Sequence, residues 1–280
     1  MEASIRQESS LRTIAITSGK GGVGKTNIAA NLSIALTQAG QRVVVFDADI
    51  GLANLDVVLG CRVSSTLQEV VGGHKTLREV MHFGPLGLSF IPGGSGLESL
   101  FTLTDHQSER LLKEFGALAN DFDILVIDTG AGLSENVTSF VRAADEVLII
   151  VTPDPSSLTD GYATAKALFQ DRISMPVKLL VNMVSGEPEA EQVYKHLNGV
   201  VQRFLGHELG YAGYVRTDPV AIGFIRKRVP FYTGNPNSAA SVDVARIAHQ
   251  LLGKTPPASG NGDWVSKLRG LFHVTSRRTA

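Results

Sequence analysis

Residues Gly19 to Thr26 read Gly-Lys-Gly-Gly-Val-Gly-Lys-Thr, a spacing that fits the GxxxxGK[ST] phosphate-binding loop. Each part has a physical task. Glycines let the backbone curl until successive N–H groups point inward at phosphate oxygens. A helix starting at Lys25 brings the positive end of its dipole to the same place. Lys25 can reach β- and γ-phosphates, and the Thr26 hydroxyl can ligate Mg2+. The expected nucleotide cradle is Gly19, Lys20, Gly21, Gly22, Val23, Gly24, Lys25, Thr26 and Asn27. The bland alternative is a glycine-rich turn without a ligand, and the strand–loop–helix context speaks against it.

Such a loop needs carboxylates at neighbouring strand ends. Val43-Val-Val-Phe-Asp-Ala-Asp49 supplies two and Ile124-Leu-Val-Ile-Asp128 a third. Asp128 follows four apolar residues, the Walker B arrangement, and is expected to hold Mg2+ through water. Asp47 and Asp49 lie two apart, so both can face one site as the chain leaves its sheet. Helix capping is the competing reading for these aspartates. The seven histidines form no ligand spacing and Cys61 is the only cysteine, which excludes a zinc site, a CxxC pair and an internal disulfide. A buried, inert thiol is expected.

The elements that must position these residues alternate. Arg12–Thr17, Arg42–Phe46, Leu88–Ile91, Ile124–Ile127, Glu146–Val151, Val177–Val181 and Tyr211–Val215 read as strands. Several are apolar at every position, as strands covered on both faces are. Helical stretches fall at Lys25–Ala39, Asp105–Asn120, Ser134–Ala144, Ser156–Gln170, Pro188–Leu205 and Ser238–Leu252. The alternation predicts an α/β fold, a mostly parallel sheet with helices on both faces. The expected organisation is a loose arm over 1–11, an ATPase domain over 12–253, a Pro/Gly/Ser linker over 254–262 and a basic amphipathic tail over 263–280.

In that tail Trp264, Val265, Leu268, Leu271 and Phe272 share one helical stripe, with Lys267 and Arg269 off it. Aromatic residues on one face and cations beside it predict an interfacial membrane anchor. Permanent packing on the protein's own core is the alternative, as is docking without ATP and release with it. One such helix binds marginally, and two on a dimer gain through effective concentration. The formal net charge is −1, with five Lys/Arg against Asp263 from Lys254 onward. That places +4 in the tail and −5 in the rest, so direct nucleic-acid binding is not expected. The amino terminus is polar without a signal-peptide core, and no apolar run of about 18 residues exists. The expected location is cytoplasmic, reversibly at the inner face of the cell membrane.

The second lysine of the loop, Lys20, makes the string KGGVGKT resemble the deviant Walker A motif of the MinD/ParA/nitrogenase-iron-protein family. The resemblance runs from about Arg12 to Leu252. It implies an ATP- and Mg2+-dependent homodimer in which Lys20 crosses to the partner's nucleotide, much as an arginine finger does. It further implies that Lys20, Lys25 and Asp49 serve catalysis, with Asp49 positioning the attacking water. Thr26, Asp47 and Asp128 serve the metal, Asp47 from the second shell. Asp128-Thr-Gly-Ala-Gly132 resembles switch II, Asn182 matches the adenine-reading position, and Asp218 in Thr217-Asp-Pro219 flanks the base.

Within the family, Asp47-Ala-Asp-Ile-Gly-Leu-Ala-Asn-Leu-Asp56 is similar to the MinD and flagellar subgroups. Ile91-Pro-Gly-Gly-Ser-Gly96, Asp128–Gly132 and Ser157-Leu-Thr-Asp-Gly-Tyr-Ala163 resemble the flagellar-number regulators of the FlhG/FleN (YlxH) group. That resemblance implies slow hydrolysis without a partner. It also implies partnership with an SRP-type GTPase, FlhF, and in some lineages a flagellar transcription activator or C-ring proteins. Arg6-Gln-Glu-Ser-Ser-Leu-Arg12 keeps Gln7, Leu11 and Arg12 at the spacing of the group's GTPase-activating arm but lacks its acidic first residue and its alanine. The competing expectations are a MinD division-site ATPase and a ParA-type DNA-partition ATPase. An iron–sulfur carrier would need bridging cysteines that a single Cys61 cannot supply.

Overall fold

The computed structural model describes residues 11–49, 53–94, 103–132, 134–170 and 175–253, with 265, 266 and 269 beyond them. Eight strands form one sheet: β1 (Arg12–Ser18), β2 (Val43–Ala48), β3 (His82–Phe83), β4 (Ser89–Ile91), β5 (Ile124–Ala131), β6 (Glu146–Val151), β7 (Val177–Val184) and β8 (Gly210–Arg216). Their order is β3-β4-β2-β5-β1-β6-β7-β8. Every neighbouring pair is parallel except β3 with β4. Seven strands were expected from the sequence. The eighth, β3, is two residues long and carries no periodicity that could announce it.

Side chains alternate between two faces, which is why the central strands are apolar throughout. Ile14 and Ile16 of β1, Val43 and Val45 of β2 and Leu148 and Ile150 of β6 share one core with α1 (Lys25–Gln38) and α11 (Ala239–Leu252). The opposite set divides in two. Val44, Phe46, Leu125 and Ile127 pack against α5 (Asp105–Asp121) and α6 (Glu135–Ala143). Ala15, Val147, Ile149 and Val181 pack against α7 (Pro155–Gln170) and α8 (Glu187–Leu205). Burying each such aliphatic side chain contributes roughly 1.5–3 kcal/mol. The six helices expected between 25 and 252 are all present, while most of the expected tail helix lies outside the described residues.

Five short helices were not expected: α2 (Leu55–Leu59), α3 (Leu67–Val71), α4 (Leu77–Val80), α9 (Pro219–Arg226) and α10 (Phe231–Gly234). None is longer than eight residues, too short for a 3.6-residue period to show. Caps were the available signal: Thr66 with Glu69 and Thr76 with Glu79 form capping boxes at α3 and α4. The parallel register sends β1, β2, β5, β6, β7 and β8 toward one pole of the sheet, where the candidate site residues collect.

Candidate nucleotide site

β1 runs mid-sheet, and its end leads through Gly19–Gly24 into α1. Two glycines there are sterically required. Gly24, the N-cap of α1, has φ +86°, and a Cβ on it would lie 2.5 Å from Asn182 Nδ2. A Cβ on Gly19 would lie 2.3 Å from the Asp160 carbonyl oxygen of α7. The loop is thus clasped between α7 and the end of β7.

Lys25 Nζ donates to Asp128 Oδ1 at 2.8 Å, a pair in which the side chains are 7% and 0% exposed. The register sets Asp128 level with Asp47 across β5 and β2. Burial pushes the Asp128 carboxyl above its usual range, while the Lys25 ammonium and the Thr26 hydroxyl pull it back. Its second oxygen, Oδ2, is buried and has no hydrogen-bond partner among the described residues. Asp47 is raised from 3.8 to about 7, first by burial and then by the charge of Asp128. Three carboxylates against one ammonium leave the site short of positive charge, and an orphaned oxygen faces it. That is a fit to a divalent cation. Among the described residues no cluster of three His, Cys, Asp or Glu forms an all-protein cage.

Asp47 itself is committed to backbone. Its Oδ1 accepts from Asp49 N at 3.2 Å, and its Oδ2 accepts from Asn54 N and Leu55 N at 3.0 Å. The carboxylate therefore pins the start of α2, which was the competing capping reading. Asp49 stands over the end of β5 and the segment it leads into: a Cβ on Gly130 would lie 3.1 Å from Asp49 Oδ1. Gly132 N donates to Ser18 O at 2.9 Å, so that segment also closes against the phosphate loop.

Lys20 Nζ, part-exposed, donates to Ser156 Oγ and lies 3.7 Å from Asp154 Oδ1. Hydrogen bonds from Ser156 and Ser157 hold the Asp154 carboxyl below its usual range. The residues 154–160 that meet Lys20 and Gly19 were not singled out as site residues from sequence. The available signal was Asp154-Pro155 three residues past an apolar strand, an N-cap followed by proline at the first helical position. Asn182 Nδ2 donates to Val23 O at 2.8 Å, which ties the end of β7 to the phosphate loop. Asp218 accepts from Val220 N at 2.8 Å and Ala240 N at 3.0 Å, so it fastens α9 to α11 and can flank a base only by placing that segment. Asn27 sits in the first turn of α1, its carbonyl accepting from Asn31 Nδ2 at 2.8 Å.

Residues 11–170 match the family model described as an AAA domain. Over 252 residues the chain is 39% identical to the antiactivator FleN of Pseudomonas aeruginosa, covering 90% of each. It is 38% identical over 243 residues to the flagellum site-determining protein YlxH of Helicobacter pylori, covering 86% of this chain and 82% of the other. The fold superposes on a chain of the MinC:MinD cell division protein complex of Aquifex aeolicus with TM-score 0.71 and 26% identity, covering 89% and 99%. The chain belongs to the MinD/ParA family of P-loop ATPases.

As a MinD/ParA-type ATPase it departs from expectation at two places, the arm motif and Cys61. The arm motif does not run free: Leu11 lies in the core beside α5, and Arg12 is buried. Arg12 donates to the Leu251 carbonyl at 2.8 Å and to Glu146 at 3.2 Å, so two of the three matched residues are structural; Gln7 lies outside the described residues. Cys61 is half-buried rather than buried, and burial, followed by the charge of Asp56, raises its pKa and keeps the thiol protonated. In the tail, Trp264, Leu268, Leu271 and Phe272 lie outside the described residues. Val265 is helical and half-buried against the α5 side of the core, 3.6 Å from where a Gly116 Cβ would stand. No described helix is long and apolar enough to cross a membrane.

Proposed function

We propose that the chain is an ATP-hydrolysing switch that dimerises with ATP and Mg2+, attaches reversibly to the membrane's inner face and sets the number or placement of flagella. The single observation that carries this reading is the position of Lys20. It projects part-exposed from the phosphate loop and, among the described residues, is met by the chain's own Ser156 and Asp154. A phosphate loop needs one lysine, and Lys25 already fills that place. A second lysine at the surface makes sense where a partner copy brings a nucleotide to meet it.

In this reading Lys25 leaves Asp128 to neutralise the β- and γ-phosphates, and Lys20 leaves Ser156 for the partner's nucleotide. Mg2+ would supply charge neutralisation between the phosphate oxygens, held by Thr26 and, through water, by Asp128. Asp49 orients the attacking water. Asp47, fixed to the start of α2, carries the state of the metal site into the segment after β2. The Asn182 Oδ1 accepts from the exocyclic amine of adenine. The flagellar role rests on relatives named an antiactivator and a flagellum site-determining protein, each matching most of the chain. Partnership with FlhF, a transcription activator or C-ring proteins extends that reading. The tail is the anchor, docked through Val265 without ATP and released with it.

The test pairs two experiments. Purified protein with ATP and Asp49→Ala should elute as a dimer and pellet with anionic vesicles, with blue-shifted emission from Trp264, the sole tryptophan. Deletion of the gene in its own host should change flagellar number or position, with Lys20→Ala failing to complement. Minicells with normal flagella would move the assignment to division-site placement, the function of the MinD relatives. Retention on DNA instead of vesicles would move it to partition.

A further inference from the structure

β7 carries an irregularity at the end that meets the phosphate loop. Asn182 is level with Val215 of β8 and Val184 with Arg216, so two steps on β7 oppose one on β8. Met183 is the extra residue of this bulge. Its backbone is left-handed, with φ +61°, a region that glycine, asparagine or aspartate enters more readily than methionine. Asn182 and Val184 on either side are buried, whereas Met183 is 45% exposed. The bulge therefore turns one large apolar side chain out of the sheet, and the core makes no use of it. Backbone strain of this kind collects at functional sites, where bulges re-aim side chains.

The contacts show where that side chain is aimed. Met183 Cε lies 3.5 Å from where a Gly24 Cβ would stand, at the point where the phosphate loop enters α1. Asn182 Nδ2 lies 2.5 Å from the same point and donates to Val23 O. In a regular strand two successive side chains would face opposite sides of the sheet. Here both converge on the end of the phosphate loop, and the bulge is what allows it. The residue after them, Val184, accepts at its carbonyl from Thr217 N at 2.8 Å, which fastens the Thr217-Asp218-Pro219 turn alongside.

We infer that Met183 is a nucleotide-binding residue, its thioether lying against a face of the base. The inference rests on the reading above that sets adenine beside Asn182 and the Thr217–Pro219 turn. A flat, polarisable ring suits a thioether, which is polarisable too and adapts its shape through three rotatable bonds. Without nucleotide the side chain is open to water, and a seated base removes apolar surface of both partners from it. Asn182 meets the polar edge of the ring and Met183 its face. The two neighbours thus divide the work of recognition, hydrogen bonding selecting the base and apolar cover holding it in place.

The test is Met183→Gly in the full chain, with ADP and inorganic pyrophosphate, each with Mg2+, as calorimetric probes. Glycine accepts the left-handed backbone, so the urea midpoint should stay level or rise. ADP affinity should fall about fivefold, the scale of a sulfur–aromatic contact, and pyrophosphate affinity should not change. Met183→Leu keeps apolar cover and should bind ADP within about twofold of the parent. A leucine variant as weak as the glycine one assigns the effect to the backbone and overturns the inference. So does equal weakening of ADP and pyrophosphate, which places the effect in the loop, or a loss seen with ATP alone, which places Met183 between two copies. An unchanged ADP affinity overturns it as well, and in all of these cases the adenine reading stands. A parent protein that binds pyrophosphate as tightly as ADP has no base subsite, and then the adenine reading falls and the inference with it.

Discussion

Removing the Lys25 ammonium should cost the nucleotide-free protein a large part of its stability, which is a stronger statement than loss of ATP binding. Lys25 Nζ and Asp128 Oδ1 stand 2.8 Å apart, and neither side chain has appreciable access to water. Lys25→Met keeps the aliphatic volume and deletes only the charge and its hydrogen bonds. Asp128 is then left buried, ionised and beside Asp47. Breaking a buried pair from one side costs about 3–5 kcal/mol, because the remaining charge keeps its desolvation penalty. A proton can take the place of the ammonium, since burial already raises the Asp128 pKa with Lys25 present. The loss should therefore be greatest at about pH 8 and shrink toward pH 5. Lys25→Met with Asp128→Asn removes both charges, and the double variant should recover most of the stability. Urea unfolding at both pH values, without nucleotide, measures all of this. A single variant that loses less than about 1 kcal/mol at pH 8, or a double variant whose losses merely add, would refute the reasoning.

Two further outcomes follow from the same site. Gly24→Ala must place a Cβ 2.5 Å from Asn182 Nδ2 in a left-handed backbone. Strain of roughly 1–2 kcal/mol and one lost hydrogen bond of about 1 kcal/mol should lower stability by about 2–3 kcal/mol, read by urea unfolding, and should weaken binding of a fluorescent ATP analogue. Asp47 binds its proton more tightly folded than unfolded, about 7 against 3.8. Its contribution is fully present below the unfolded value and is lost as pH rises through about 7. The urea midpoint of the nucleotide-free protein should carry that downward slope and Asp47→Asn should lack it; a parent protein that gains stability over the window relative to the variant contradicts the assignment.

The strands and long helices were legible because each repeats a period long enough to average over its exceptions. Ile124–Ile127 and Val147–Val151 could belong only to strands covered on both faces, and they sit mid-sheet. The cradle was legible for a different reason: a phosphate loop is contiguous, so its geometry is written in one string. What the sequence withheld were contacts made across the sheet. Asp47 and Asp218 look like free carboxylates at strand ends, and their hydrogen bonds come from Asn54, Leu55 and Ala240, up to 22 residues away. Asp154 and Ser156 approach Lys20 from more than 130 positions along the chain. Leu11 reads as the end of a loose arm until the structure sets it in the core beside α5 and ties Arg12, the first residue of β1, to Asp123 and Leu251.

These cross-sheet contacts give the two lysines of the loop different energetic standing. Lys25 is paired inside the protein, where a lost partner is expensive, so nucleotide binding there must exchange one anionic partner of the ammonium for another. Lys20 is paired at the surface, where such a contact is worth about 0–1 kcal/mol. An incoming phosphate therefore has to outbid a buried carboxylate at Lys25, and that competition is local to one chain. At Lys20 almost nothing holds the side chain back, and in the proposed dimer its response depends on whether a second nucleotide arrives. A site built this way can bind its ligand with one lysine and sense a partner with the other. The carboxylates that keep both lysines neutralised in the meantime, Asp128 within β5 and Asp154 in the connection that follows β6, belong to the two strands on either side of β1.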